Sequence, residues 1–140
     1  MSAVMVLGVA CSDAAPCRDC PAIDGLYAVS WPDGGAASDA GACPSSGPRV
    51  PGWTLAQQGS RVTSTIGGVN LGGTIYDTYD LLLSGSEGTL SYSVRAIVIP
   101  TGTSTDGGVD LRGTFTSRNL PSSGDPCEVS ETFTAQRTSR

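Results

Sequence analysis

The sequence contains no histidine and no lysine; the eight basic residues among its 140 are all arginine. Without histidine the chain lacks the commonest general base, proton shuttle and metal ligand. Without lysine it has neither Schiff-base chemistry nor the lysine of a Walker-type phosphate loop. The arginines stand singly in a chain of formal net charge −5, which argues against nucleic acid, whose binding needs clustered cations. Long helix-forming runs are missing as well. What is abundant is Gly, Ser and Thr, the composition of an all-β chain with many turns. The length allows one domain with terminal segments.

The chain opens MSAVMVLGVACSD. Residues 3–10 are apolar or Gly, too few to span a bilayer. They read as the end of a secretory apolar region closing on small residues. Leu7-Gly8-Val9-Ala10-Cys11 resembles a bacterial lipobox, in which the residue before Cys is small and Cys becomes the lipidated first residue after cleavage. Ala10 and Cys11 fit. Gly8 replaces the usual Leu at the third place before Cys, and no positive residue precedes the run. A start codon assigned too far downstream would account for the missing charge and the short run. The resemblance implies a membrane anchor through Cys11. With Ser12 rather than Asp after the Cys, it implies the outer membrane. The alternative is an apolar N-terminal strand with a structural Cys.

If Cys11 carries lipid, Cys17, Cys20, Cys43 and Cys127 remain, an even number that in an exported domain reads as two disulfides with three possible connectivities. Cys17-Arg18-Asp19-Cys20 is a C-x-x-C, but Pro16 and Pro21 flank it in a loop, where a redox motif needs a strand before it and a helix after it. A zinc site would need a second close Cys pair. Structural bridges are the expectation, with no metal and no cofactor.

Period-two alternation marks eight strands, at residues 25–31, 53–58, 61–66, 69–75, 79–83, 89–99, 109–116 and 128–137. One face collects Tyr27, Val29 and Trp31, then Trp53, Leu55, Val62, Ile66, Val69, Leu71 and Ile75. It continues through Tyr79, Leu81 and Leu83; Leu90, Tyr92, Val94, Ala96 and Val98; Val109, Leu111 and Phe115; Val129, Phe133 and Ala135. A turn near Asp77 separates strands four and five, and SGSEG at residues 84–88 forms the next turn. Residues 32–52, rich in Pro, Gly, Ala and Ser, are a long loop. The expected organisation is a signal-like segment at 1–10, a tether at 11–23, a β domain at 24–137 and a tail at 138–140. Sequential short strands with one apolar face make an antiparallel up-and-down meander, and closing it into a barrel removes exposed edges.

A nonapeptide occurs twice, as GGVNLGGTI at residues 67–75 and GGVDLRGTF at residues 107–115. Gly-Gly suits a turn needing positive φ, Val and Leu point inward, and Gly73 and Gly113 then fall on inward positions. An inward Gly lets a sheet bend or another group approach closely. Three alternatives fit less well, among them a propeller with a forty-residue period, which would need more than two blades. A phosphate loop lacks its Lys, and the calcium nonapeptide lacks its third Gly and its tandem copies.

The start-to-end arrangement over residues 25–137 resembles the calycins, the lipocalin and avidin-like barrels. Gly25-Leu26-Tyr27 stands where lipocalins carry Gly-x-Trp, and Arg137 stands at the place of their basic residue after the last strand. That resemblance implies closure of strand eight on strand one, bringing Arg137 to Tyr27 as a cation–π pair. The same closure carries Cys127 towards the loop holding Cys43 and leaves Cys17 and Cys20 at the opposite end, which favours Cys43–Cys127 with Cys17–Cys20. Tyr replaces Trp, the first loop is unusually long, and no biotin-type residues map onto the chain.

Carboxylates are the only abundant acid–base groups. A glycosidase needs two of them across a cleft. Asp77 and Asp80 read as a turn and a solvated face, and Glu131 is aimed inward by alternation with Val129 and Phe133, where it would need a partner or anchor a ligand. Tyr27, Trp31, Trp53, Tyr92, Phe115 and Phe133 line either a pocket or a core. Ile97 and Ile99 lie on the outward face, to be covered by the long loop or another chain. The leading expectation is a membrane-tethered lipoprotein, not an enzyme, with a solid barrel in a structural or protein-interaction role. The alternative is a barrel holding a small apolar ligand, and a carboxylate-based hydrolase is a distant third. Interior volume discriminates between the first two.

Overall fold

A computed structural model describes residues 15–32, 50–101, 108–119 and 127–139. Cys11, Cys43, Gly107, residues 1–10 and most of the loop at 32–52 lie outside the described residues. The described residues form eight strands: β1 (Gly25–Ser30), β2 (Gly52–Gln58), β3 (Arg61–Ile66), β4 (Val69–Ile75), β5 (Asp80–Glu87), β6 (Leu90–Pro100), β7 (Val109–Asn119) and β8 (Cys127–Ser139). Each pairs antiparallel with its sequence neighbours, and β8 pairs with β1, so the meander closes into a barrel. Val62, Ser64 and Ile66 of β3 are buried while Arg61, Thr63 and Thr65 are exposed, the period-two pattern of a strand with one face on a core.

The expected boundaries need several corrections. Ser84 to Glu87 belong to β5, and the turn shrinks to Gly88 and Thr89, with Glu87 opposite Leu90 and Gly88 at φ +61°. Glycine there permits a two-residue hairpin, so the strands need not part earlier. β7 runs on to Asn119 because its ladder with β8 continues to Asn119 opposite Cys127. β8 runs on to Ser139, opposite Leu26, so residues 138 and 139 are strand and not tail. Tyr79 is not an inward strand residue. It ends the β4–β5 turn at φ +66°, donates its N–H to the Tyr76 carbonyl at 2.9 Å, and its side chain is exposed.

The repeated nonapeptide is one structural device. Gly67 and Gly68 take positive φ in the β3–β4 turn, and Val69 and Leu71 are buried, as are Val109 and Leu111 in the second copy. Gly73 lies opposite Val62 and Leu83, and Gly113 opposite Ala96 and Phe133, all inward positions. A methyl group on Gly73 would run into the Leu82 carbonyl, and one on Gly113 into the Arg95 carbonyl. The neighbouring backbone folds over each glycine, and this close approach is how the wall curls. The copies differ at their starts, because Gly108 accepts a 2.9 Å bond from the Thr101 N–H across a longer connection.

Candidate functional site

The barrel has two distinct ends. At the first, where β1 begins and β8 finishes, residues 15–24 form a packed plug rather than a free tether. Pro16 bridges to Tyr76. The Cys17 N–H bonds the Ile75 carbonyl at 3.1 Å, and the Asp77 N–H bonds the Ala15 carbonyl at 3.0 Å. Cys17 and Cys20 are joined by a disulfide, and Ile23 is fully buried. Cys127 is also disulfide-bonded; its expected partner Cys43 lies outside the described residues.

Three side chains hold the plug. Gln57 accepts the Ile23 N–H at 2.8 Å through Oε1 and donates through Nε2 to the Pro21 carbonyl at 3.0 Å. Arg137, opposite Tyr27 in the β1–β8 register, donates to the Ala22 carbonyl at 2.7 Å and to the Asp24 carbonyl at 3.2 Å. The Tyr27 hydroxyl donates to the Ile23 carbonyl at 2.7 Å inside the barrel. Burial pushes the Tyr27 phenol up to about 12; the nearby Arg137 charge pulls it down, and Asp24 and Asp110 add to the rise. Gln57 and Ile23 were not singled out from the sequence, yet both leave a trace there. Gln57 is a polar residue in phase with inward Trp53 and Leu55, and Ile23 extends backwards the period of Tyr27 and Val29.

At the second end, aromatic rings close the interior. Trp53 meets Phe133 edge-on at 4.6 Å between ring centroids, and Tyr92 meets Phe115 at 5.2 Å. Trp31 lies just past the end of β1, half-buried, across Trp53, Phe115 and Phe133 at 6.1, 5.9 and 5.9 Å. Its Nε1 donates to the Val50 carbonyl at 3.3 Å. Glu131 stands opposite inward Phe115, half-buried near this rim. Burial raises the Tyr92 phenol. The Trp53 indole N–H is buried and has no hydrogen-bond partner among the described residues.

Between the two ends the described inward side chains pack into one core. Trp53, Tyr27, Phe115, Phe133, Ile66, Ile75 and Leu81 each expose 2% or less of their surface. A void large enough for a ligand would leave surface on the side chains that line it, and these have almost none. Two grooves among the described residues lie on the outer wall. One of about 350 Å³ is lined mainly by Ser84, Ser86, Ser91, Ser93 and Thr116, with Arg118 and Glu128 at 4.0 Å from each other. Another of about 530 Å³ runs along Thr54, Thr63, Thr65 and Asn70. Both are open; hydroxyl groups dominate the first, whereas Ala56, Leu71 and the threonine methyls make the second mostly apolar. Asp77 and Asp80 sit in and beside the β4–β5 turn, where Asp80 accepts the Thr78 hydroxyl at 2.7 Å, and both are remote from Glu131 at the other end.

The architecture therefore defines the chain as a closed eight-stranded up-and-down β-barrel whose described inward side chains pack into one core. No family model, curated protein or solved structure matches it.

Proposed function

We propose that the chain is an exported lipoprotein anchored in the outer membrane through Cys11, and that its barrel is a rigid structural or protein-interaction module. The observation that carries the second half is the filled interior. The inward side chains occupy the space a carried ligand would need, and the plug closes one end. The lipobox resemblance at Leu7 to Cys11 and the Cys17–Cys20 disulfide support an oxidising, exported setting. An apolar-ligand barrel is the second reading. It rests on the buried, unpartnered Trp53 N–H, and it requires Trp31 to swing away from the aromatic end.

Intact and native mass spectrometry of the full chain, exported in a bacterial host, tests both halves. The expected spectrum carries a lipid adduct that Cys11→Ser abolishes, and no further small molecule after exposure to a total lipid extract. An unmodified Cys11 refutes the anchor. A non-covalent apolar adduct lost on denaturation refutes the solid barrel and supports the second reading.

A further inference from the structure

The exposed large apolar side chains of the described residues are Leu26, Tyr79, Leu82 and Ile97. Counted along their strands, all four belong to the plugged end. Leu26 is the second residue of β1, Tyr79 immediately precedes β5, and Leu82 is its third residue. Ile97 lies opposite Asp80, where β5 begins. They do not share one side of the wall. Leu26 on β1 and Leu82 on β5 are four strands apart in a closed ring of eight, hence on opposite sides. A partner docking on the wall could cover one side only; a surface meeting the barrel end-on covers both.

The position of the chain's entry identifies that surface. Ala15 is bonded to Asp77, two residues from Tyr79, so the polypeptide enters at the same rim. From Cys11 to Ala15 the chain spans at most about 14 Å. The eleven-residue β6, at the tilt usual for such barrels, extends roughly 28 Å along the axis. A lipid on Cys11 therefore holds the plugged end close to the bilayer and keeps the aromatic end away from it. Tyr79 adds a second observation. A bulky residue with positive φ in a turn of this kind is costly, and glycine is the usual occupant. The strained backbone presents an amphipathic ring outward, the residue type that favours the membrane–water boundary.

We infer that the rim bearing Leu26, Tyr79, Leu82 and Ile97 rests on the lipid–water interface of the membrane, with the barrel standing end-on. The inference rests on the lipoprotein reading. Leu82 sits two residues above the start of β5, about 5–7 Å, which matches the depth of an interfacial contact. Asp77, beside Tyr79, is exposed, and Asp80 is partly so. These carboxylates hold the contact at headgroup depth, short of the acyl core.

Brominated-lipid quenching tests the orientation. The lipid-modified full chain carrying Tyr79→Trp, or Ile97→Trp should the first not fold, is placed in phosphatidylethanolamine–phosphatidylglycerol vesicles with and without bromine on the acyl chains. Trp31 and Trp53, at the far end, supply the reference in the parent chain. A Thr89→Trp variant in the β5–β6 turn marks the far rim. The emission added at position 79 or 97 is expected to shift to the blue and lose most of its intensity with brominated lipid, while that at position 89 is unchanged. With a lipid adduct on Cys11 by mass but no quenching at the near rim, the orientation is wrong and the anchor stands. Equal quenching at 79 and 89 means a barrel lying on its side and overturns the proposal. Without a lipid adduct the anchor fails and the proposal falls with it. A photo-crosslinker at position 97 that captures protein rather than lipid in intact cells overturns it in favour of a protein partner.

Discussion

Two adjacent glycines, Gly72 and Gly73, offer a sharp test of how the wall curls. A methyl group at Gly72 would find no atom within 4 Å. At Gly73 it would run into the Leu82 carbonyl oxygen and stand 2.7 Å from the Leu82 carbonyl carbon and 2.9 Å from the Leu83 Cα. Carbon atoms pack at about 3.5–4.0 Å, so β4 and β5 must separate by roughly 1 Å. Inter-strand bonds near 2.9 Å would then open to about 3.9 Å, beyond hydrogen-bonding range. Two such bonds are worth about 2 kcal/mol net, and residual crowding costs roughly another 2 kcal/mol. Against this, replacing Gly by Ala gains about 0.4–1 kcal/mol through the unfolded chain. Gly73→Ala should therefore destabilise by about 3 kcal/mol, and Gly72→Ala should be neutral or slightly stabilising. Equilibrium unfolding in guanidinium, followed by Trp31 and Trp53 fluorescence, reads the difference as a midpoint about 1 M lower for Gly73→Ala. Gly113→Ala, whose methyl would stand 2.6 Å from the Ala96 Cα, should behave like Gly73→Ala. If the Gly72 and Gly73 variants agree within about 0.5 kcal/mol, the curling device is refuted.

The plug gives three further predictions. Gln57→Ala removes the partners of the Ile23 N–H and the Pro21 carbonyl; it should cost roughly 2–3 kcal/mol and speed hydrogen exchange at residues 16–23 well beyond that of β6, while unchanged protection would show that Gln57 is not the latch. For Tyr27 the fold favours the neutral phenol. Its contribution is therefore complete below pH 10 and lost as pH rises towards about 12; the unfolding midpoint should fall over that window in the parent chain and less so in Tyr27→Phe, and parallel profiles would contradict the assignment. The Cys17–Cys20 bridge closes a loop of only two intervening residues, for which chain entropy allows about 2 kcal/mol at most; Cys17→Ala/Cys20→Ala should lower the midpoint by no more than that and leave the barrel circular dichroism intact, and loss of the barrel would show that the bridge holds more than the plug.

Much of the wall was legible because each strand buries only one face. The alternation at residues 61–66 and 69–75 reproduces β3 and β4. The lack of any competing helix left a meander as the economical arrangement. Strand ends were less legible, since a hairpin turn is set by backbone conformation: Gly85, opposite Tyr92, reads as a turn residue but is a close-approach glycine inside β5, where a methyl group would meet Asn70. Tyr79 misled because its type suits a strand, while its positive φ arises from the three residues between Tyr76 and Asp80. The plug escaped because residues 11–23 read as a tether; the polar Gln57 on the inward phase was the available sign. Whether the interior was solid could not follow from side-chain volumes, because strand tilt and stagger set the radius.

The pairing of β8 with β1 also governs what damage the chain tolerates. In an open sheet, losing the last strand moves the edge inward by one position. Here the loss of β8 uncovers β7 and β1 together, two unsatisfied backbones facing each other across a gap. It also removes Arg137, which holds the plug. C-terminal clipping would thus turn a particle without edges into one that can recruit strands from its neighbours at both sides.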